Sequence, residues 1–173
     1  EPIGMTHSIP EANAIAIRIA RAASGRAGVA ICGYHGWHDW YLAANLGCEE
    51  GLATHLLPGL ESRGVPGSLR DTVFPFAYNR LEELETIVRG QEIGVIIMEV
   101  ARSTDPEPGF LQGVRDLASR VGAVLVFDEC TSGFRQTFGG LHKQFGVQPD
   151  VATFGKALGN GYAITAVIGR REV

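Results

Sequence analysis

The chain has 173 residues, of which 45% are hydrophobic and 20% charged, and this predicts one globular domain with a substantial core. Its formal net charge of −4 argues against general nucleic-acid binding, which needs a basic surface. No apolar run approaches the roughly 20 residues of a membrane span, and the first residues lack the pattern of a signal peptide. We therefore expect a cytoplasmic protein without a nucleic-acid or membrane partner.

The three cysteines, Cys32, Cys48 and Cys130, are odd in number and widely spaced. This pattern favours free thiols in a reducing compartment over a disulfide framework. No Cys-x-x-Cys pair occurs, so we expect no structural zinc site and no bound metal.

The first predicted helix begins at Ser8, with Glu11 three residues later in the pattern of a capping box. Pro10 is tolerated because first-turn amides have no helical partner. Gly25 is placed to end the helix. Its predicted inward face is apolar at helical spacing and consists of Ala12, Ile15, Ala16, Ile19, Ala20 and Ala23.

Short apolar strands and amphipathic helices then alternate along the chain. The predicted strands span 28–32, 72–76, 93–98, 123–127, 151–154 and 163–169. The predicted helices span 80–89, with Asn79 as its cap, 110–121 and 141–145, while 47–70 is an irregular excursion. This alternation predicts an α/β fold, a three-layer sandwich around a mostly parallel sheet.

Polar side chains follow three of these strands within three residues of the strand end. Tyr34 and His35 come after 28–32, Asp128 after 123–127, and Lys156 after 151–154. The carboxyl ends of parallel strands meet at one edge of the sheet, where ligands gather. We therefore expect these side chains to share one site.

An apolar strand followed by Asp128 and Glu129 could also be a Walker B element of an ATPase. That function requires a Walker A loop with the pattern GxxxxGK[ST]. Here Ala157 follows the Gly-Lys pair, and Asp150 stands where the first glycine is needed, so the ATPase hypothesis fails at two positions. A simpler alternative is that Asp128 only caps the next segment.

The histidine-rich segment 33–41 allows two interpretations. His35, His38 and Asp39 could ligate a metal, but no further Cys or His cluster supports a closed site. Aromatic packing around a polar histidine is the favoured interpretation. Lys156 could be a plain surface lysine. Its place between an apolar strand and a glycine-rich turn favours a desolvated, nucleophilic amine.

Five motifs together resemble the class III pyridoxal-phosphate-dependent aminotransferases, with the glutamate-1-semialdehyde aminomutase branch as the nearest type. They are YHGWHD at 34–39, PEPGFLQGVRDLASRVGAVLVFDE at 106–129, SGFR at 132–135, PDVATFGKALGNG at 149–161 and AVIGRRE at 166–172. The resemblance runs from about position 6 to position 173. It implies the fold of the large domain of fold-type I pyridoxal-phosphate enzymes.

The resemblance also implies roles at the strand ends. Lys156 would form the Schiff base with the cofactor aldehyde and then move the substrate proton, while Asp128 would pair with the ring nitrogen. Tyr34 would stack on one ring face and Cys130 would pack the other. Glu99 would shape the substrate side or the hydrogen bonds of the phenolic oxygen.

His35, beside the stacking tyrosine, is assigned to the same cofactor site. In the resembling family, the start of the first helix holds the cofactor phosphate through free N–H groups. Here that position reads Ser8, Ile9 and Pro10. Pro10 has no N–H and Ile9 adds bulk, so we expect a weakened phosphate grip.

The resemblance implies amino-group transfer between a small-molecule donor and acceptor, with pyridoxal 5'-phosphate as the cofactor. Residues 1–173 would form one partial large domain, without the family's N-terminal segment and C-terminal small domain. A homodimer or other self-association is expected, because missing parts leave apolar surface to cover. The alternative is a non-catalytic, truncated relic or interaction module with weak or no cofactor binding. Transaminase and aminomutase activity remain equally open at this point.

Overall fold

The computed structural model describes residues 2–47, 52 and 61–173, so Cys48 and half of the excursion predicted at 47–70 lie outside the described residues. The α-helices are α1 (Ile9–Ser24), α2 (Asp39–Leu42), α3 (Ala44–Gly47), α4 (Leu81–Gly90) and α5 (Phe110–Val121). The strands are β1 (Pro2–Thr6), β2 (Gly28–Cys32), β3 (Val73–Pro75), β4 (Ile93–Glu99), β5 (Val124–Asp128), β6 (Val151–Phe154) and β7 (Thr165–Gly169). Short 3-10 turns span Gly67–Leu69, Leu141–Phe145 and Lys156–Leu158.

The described strands form one sheet in the order β1-β7-β6-β5-β4-β2-β3. From β3 to β6 every neighbouring pair is parallel, whereas β7 pairs antiparallel with β6 and β1 antiparallel with β7. The predicted α/β fold with a mostly parallel sheet is thereby confirmed. No helix in the described part of the chain is long and apolar enough to cross a membrane.

Helices cover both faces of the sheet, which explains its continuous apolar strands. On β4, Val95 and Ile97 face the core that includes α1, while Ile96 and Met98 face the core that includes α4 and α5. All four side chains are fully buried. A strand covered on both sides needs apolar residues at every position, and this is why 93–98 shows no alternation.

Helix α1 begins and ends as predicted. The Ser8 hydroxyl accepts from the Glu11 N–H, and Gly25 takes a left-handed φ of 68° while its N–H bonds to the Arg21 carbonyl. The predicted inward face is confirmed at Ala12, Ala16 and Ala20 but was wrong at Ile15, which is 37% exposed. The buried residues are Ala12, Asn13, Ala16, Ile17 and Ala20.

The error on α1 has a physical cause. Apolar residues occur nearly all round this helix, so hydrophobicity alone does not select a face. The residue that orients it is polar: Asn13 is fully buried, and its amide is hydrogen-bonded on the sheet side.

Four further elements differ from the prediction. Strand β1 was not predicted, and α2 and α3 have only four residues each, too few for a helical period to show. Asn79 does not occupy the cap position of α4, which belongs to Arg80. Instead Asn79 has a left-handed φ of 62°, and its side-chain oxygen accepts from the Glu107 N–H at 3.0 Å.

Asp150 joins several elements just before β6. Its carboxylate accepts from Arg115 on α5 at 2.8 Å, from the Leu125 N–H on β5 at 2.8 Å and from Arg170 after β7 at 2.9 Å. Burial would raise the pKa of Asp150, but the Leu125 N–H and the two arginines lower it overall.

Replacing Asp150 with asparagine should lower the unfolding free energy at pH 7 by about 1–3 kcal/mol, because charge-assisted hydrogen bonds are lost. A carboxylate whose pKa is lower in the folded than in the unfolded protein stabilises the fold at pH values above its unfolded pKa of about 3.9. This stabilisation is lost as the pH falls through the folded pKa. The difference between wild type and variant should therefore shrink below about pH 4. Urea unfolding at pH 7 and pH 3 measures this difference in unfolding free energy, and the exposed Glu172→Gln is the control. An Asp150→Asn midpoint equal to the control would contradict this role.

Candidate active site

The sheet brings all the predicted strand-end groups to one edge. Tyr34 and His35 follow β2, Glu99 ends β4, Asp128 ends β5 and Lys156 follows β6 closely. Glu99 and Asp128 are direct partners in the β4–β5 register. The parallel arrangement therefore concentrates these side chains at the carboxyl ends of neighbouring strands.

Asp128 is the centre of a buried hydrogen-bond network, with 3% of its surface exposed. Its Oδ2 accepts from Asn13 Nδ2 at 2.8 Å and lies 2.9 Å from His35 Nδ1. Its Oδ1 accepts from the Cys130 backbone N–H at 3.0 Å. A buried carboxylate is costly without such partners, so these groups make its position tenable.

Thr153 on β6 completes this network. Its hydroxyl donates to Asn13 Oδ1 at 2.8 Å, which turns the amide nitrogen of Asn13 towards Asp128. The same nitrogen lies 3.3 Å from the His35 carbonyl oxygen. One side chain of α1 is thereby bonded to β5, β6 and the segment after β2.

The pKa of Asp128 is set by opposing effects. Burial is the largest and would raise it, but the hydrogen bond and charge of His35, with the N–H groups of Cys130 and Asn13, outweigh burial and lower it. The site therefore holds an ionised carboxylate at neutral pH.

Both ring nitrogens of the buried His35 are engaged. Nε2 lies 3.0 Å from the Cys32 carbonyl oxygen, which can only accept, so Nε2 carries a hydrogen. Nδ1 lies 2.9 Å from Asp128 Oδ2. The ring also packs edge-on against Tyr41. His35 is therefore not free to ligate a metal, and its packing includes a polar contact to Asp128.

Lys156 lies beside this network on the open side of the site. Its side chain is exposed, and Nζ donates to Thr131 Oγ1 at 2.7 Å. Its φ of 45° is left-handed, a conformation that costs energy for lysine and is concentrated at functional sites. The exposure means that the described residues do not desolvate the amine, so that part of the sequence-based expectation was wrong.

Tyr34 and Glu99 lie side by side, because the Tyr34 backbone N–H donates to Glu99 Oε2 at 3.4 Å. Tyr34 is half-buried, and the Arg102 guanidinium lies 6.0 Å from its ring centroid. Burial raises the pKa of Glu99, and the charge of Asp128 raises it further. Glu99 and Arg102 line a cavity of about 340 Å³ together with Tyr78.

Cys130 is buried beside Asp128, and its sulfur lies 3.7 Å from the Thr153 hydroxyl. Burial raises the pKa of this thiol, and the charge of Asp128 adds to the effect. The thiol therefore stays neutral and packs as a small apolar group. Cys32 and Cys130 are both free thiols, as predicted.

The N-terminus of α1 also points to this edge. A Cβ atom placed on Gly155 would lie 3.1 Å from Ile9 Cγ1, so the Ile9 side chain packs against the residue before Lys156. Ile9 therefore lies next to Gly155, the residue that precedes Lys156.

The start of α1 offers few donors to an anion. Pro10 has no N–H, and the Glu11 N–H is bonded to Ser8 Oγ at 3.4 Å. The Glu11 carboxylate folds back over the helix start, where it accepts from the His7 N–H at 3.2 Å. Hydrogen bonds, led by one from a threonine hydroxyl, lower the pKa of Glu11, so a negative charge already occupies this end.

Comparison with solved structures places this fold among transaminases. An omega-transaminase from Sphaerobacter thermophilus matches with a TM-score of 0.81 and 29% identity, covering 97% of this chain and 40% of that chain. A structure described as a transaminase with PLP bound matches with a TM-score of 0.81 and 26% identity over 97% of this chain and 40% of that chain.

The sequence profile described as Aminotransferase class-III matches residues 3–173, and the chain belongs to this family. Two curated relatives are each 40% identical. The 3-aminobutyryl-CoA aminotransferase of Cloacimonas acidaminovorans aligns with 94% of this chain and 37% of its own length. The glutamate-1-semialdehyde 2,1-aminomutase of Syntrophobacter fumaroxidans aligns with 100% of this chain and 41% of its own length. The chain thus spans about two-fifths of the relatives it matches.

Sequence reasoning missed three residues of the network: Asn13, Thr153 and Thr131. Two of them had a weak local signal. Asn13 is the one amide in an otherwise apolar stretch of helix, and Thr153 interrupts the apolar strand before Lys156. Their partners are distant in sequence, so only the fold reveals the contacts.

Replacing Asn13 with alanine should raise the pKa of Asp128, because a donor to its carboxylate is lost. The folded pKa of Asp128 is lowered, so its contribution to stability exists above about pH 4 and is lost as pH falls through the folded value. In the variant this loss should begin at higher pH. Carbon NMR of the Asp128 carboxyl during a pH titration measures the shift. Gln112→Ala, which removes an exposed amide, is the control, and an unchanged Asp128 titration would refute the role.

Proposed function

We propose that the chain supplies the pyridoxal-phosphate core of an enzyme that transfers amino groups, as an aminotransferase or an aminomutase. The observation that carries the proposal is that a buried, ionised Asp128 ends β5 while Lys156 follows β6, the adjacent parallel strand. A carboxylate for the ring nitrogen and an amine for the aldehyde are the two groups that this cofactor requires.

The strand-end residues fit the ring of pyridoxal phosphate. When bound, this ring supplies an electron sink for carbanion chemistry. Asp128 would keep a proton on the ring nitrogen, because its own carboxylate is held ionised by His35 and Asn13. Tyr34 offers a half-buried aromatic face, and Cys130 a neutral thiol, for the two sides of the ring.

Lys156 would attach the cofactor and then carry the substrate proton. Its exposed amine is accessible, and the Thr131 hydroxyl gives it a defined resting position at 2.7 Å. A base held next to the reacting carbon exchanges a proton without a diffusional encounter. Glu99 and Tyr34 would bound the same space on the opposite side.

The residues at the phosphate end of the proposed site fit the cofactor less well than those around the ring. The start of α1 lies against Gly155 but presents the apolar Ile9, Pro10 without an N–H and the carboxylate of Glu11. We therefore propose that the phosphate adds less affinity here than a helix N-terminus with free amides would. Self-association is part of the same proposal and is supported by exposed aromatic side chains such as Phe138 and Tyr162.

The attachment role of Lys156 can be tested without ambiguity, because Lys143 is the only other lysine in the sequence. Pyridoxal phosphate followed by borohydride should label wild type and Lys143→Ala at position 156, and should leave Lys156→Ala without label on a lysine. Lys143 is exposed and lies away from the strand ends, so it is a matched control. Peptide mass spectrometry locates the label. An unlabelled wild type, or equal labelling at position 143, would overturn the proposal.

Exchanging Ile9 for glycine together with Pro10 for threonine should improve binding of pyridoxal phosphate relative to pyridoxal. The exchange restores one backbone N–H and removes a bulky side chain. We expect it to strengthen binding of the phosphate by about 1 kcal/mol, which is roughly fivefold in the dissociation constant. Absorbance titrations of both compounds give the ratio of dissociation constants.

The matched control for this pair is Ala22→Gly with Ala23→Thr, at the exposed far end of α1. It should leave the ratio unchanged. If the Ile9 and Pro10 exchange alters the affinities of both compounds equally, the phosphate argument is refuted.

A further inference from the structure

The turn that follows Lys156 contains the one Asn-Gly pair of the sequence, Asn160 and Gly161. Both residues have a left-handed backbone, with φ of 45° at Asn160 and 102° at Gly161. The Tyr162 N–H bonds to the Gly159 carbonyl oxygen at 2.9 Å, which closes a turn around the pair. Positive φ at both central residues is characteristic of a type I′ turn, and asparagine followed by glycine is the preferred sequence for it. The local fold therefore explains why this pair stands here.

Asparagine is a thermolabile residue, and a following glycine makes it most reactive. The backbone nitrogen of the glycine loses its proton and attacks the side-chain Cγ of the asparagine. The C–N bond of the side-chain amide then breaks, ammonia leaves, and a succinimide ring remains. Water opens this ring at either of its carbonyl carbons, which gives aspartate or isoaspartate. The balance is one water consumed and one ammonia released, without an oxidant or a reductant.

The reacting groups are open to solvent and unhindered. Asn160 and Gly161 are both exposed, and a Cβ atom placed on Gly161 would meet nothing within 4 Å. Within residues 2–47, 52 and 61–173, neither the Gly161 N–H nor the Asn160 side-chain amide has a hydrogen-bond partner. Exposed turns with few hydrogen bonds open at little cost in free energy. Local opening therefore brings the Gly161 nitrogen to the Asn160 Cγ.

Asn79 has a similar backbone but a protected side chain. Its φ is 62°, also left-handed. Its side-chain oxygen accepts from the Glu107 N–H at 3.0 Å, and its Nδ2 donates to the Asp105 carbonyl oxygen at 3.4 Å. The following residue is Arg80, whose side chain hinders attack by its own backbone nitrogen. The left-handed conformation alone thus does not expose an asparagine to the reaction.

The same turn holds the backbone of Lys156. The Lys156 carbonyl oxygen accepts from the Gly159 N–H and the Asn160 N–H, both at 3.1 Å. The turn is tight, because a Cβ atom placed on Gly159 would lie 2.3 Å from the Tyr162 carbonyl oxygen. Isoaspartate at position 160 inserts one methylene into the main chain, roughly 1.5 Å, between the donor and the acceptor of the closing hydrogen bond. That insertion breaks the turn and frees the left-handed backbone of Lys156.

We propose that Asn160 is a site of spontaneous deamidation, and that its conversion to isoaspartate loosens the backbone that positions Lys156. Because ammonia is lost, the change is irreversible and accumulates with the age of the molecule. Each converted chain also gains one negative charge close in sequence to the Lys156 amine. The inference goes beyond the proposed function and does not depend on whether Lys156 binds pyridoxal phosphate.

Ageing the folded chain at neutral pH tests the reaction. Peptide mass mapping, with synthetic aspartate and isoaspartate peptides as references, should show conversion of Asn160, mainly to isoaspartate. Asn79 should stay unchanged in the same samples. Asn160→Gly is the matched variant, because glycine accepts the left-handed turn and has no amide to lose. Its peptide should keep its original mass throughout.

A sample unfolded in urea sets the time scale for this experiment, because there the pair reacts without any restraint from the fold. Conversion in the folded chain within that time supports the inference. If Asn160 stays intact in the folded chain while the unfolded sample has converted fully, the turn protects the pair and the inference is overturned.

Hydrogen exchange measured by NMR tests the link to Lys156. Ion exchange separates the converted chains by their added charge. In that fraction the amides of Gly159 and Tyr162 should lose protection, because the hydrogen bonds of the turn are broken. Amides of β5, and the same turn in Asn160→Gly aged in parallel, should keep theirs.

Equal protection of Gly159 and Tyr162 before and after conversion would overturn the coupling to Lys156. Neither the ageing nor the exchange measurement uses a cofactor or an amine substrate. A failure of this inference is therefore distinguishable from a failure of the proposed function.

Discussion

Asp128 is an ionised carboxylate buried at the carboxyl end of β5, and the arrangement of the whole edge depends on the groups that keep it there. His35, Asn13 and the Cys130 N–H each supply a hydrogen bond, and together they outweigh the cost of burial. Each donor comes from a different segment. The charge can therefore exist only when α1, the loop after β2 and the strand-end turn have all reached their places.

Helix α1 consequently serves the site at two points. Its buried face delivers Asn13 to Asp128, whereas its N-terminus ends against the glycine that precedes Lys156. In the proposed site, the first contact would support the polar half of a cofactor ring. The second presents an isoleucine, a proline and a folded-back glutamate where an anion would need free amides. Under that proposal the same helix would favour binding of the ring and disfavour binding of the phosphate.

The parallel sheet and the strand-end groups could be predicted because they depend on short-range patterns. Apolar runs such as 93–98 identify two-sided strands, and Asp128 and Lys156 lie within two residues of the ends of such runs. The network itself could not be predicted. Asn13 is 115 residues from Asp128, His35 is 93 residues from it, and Thr131 is 25 residues from Lys156. Likewise, a helix apolar on nearly every side gives no periodic signal for its buried face.

The two outer strands of the described sheet also bear on how the molecule behaves at high concentration. β3 has only three residues and ends at Pro75, whose nitrogen has no hydrogen to offer a further strand. β1 begins at Pro2, and its register against β7 shifts between Pro2 and Gly4. Short, irregular, proline-bearing edges are poor templates for cross-β stacking between molecules. Copies of this chain should therefore meet through side-chain surfaces and not by extending the sheet into a fibril.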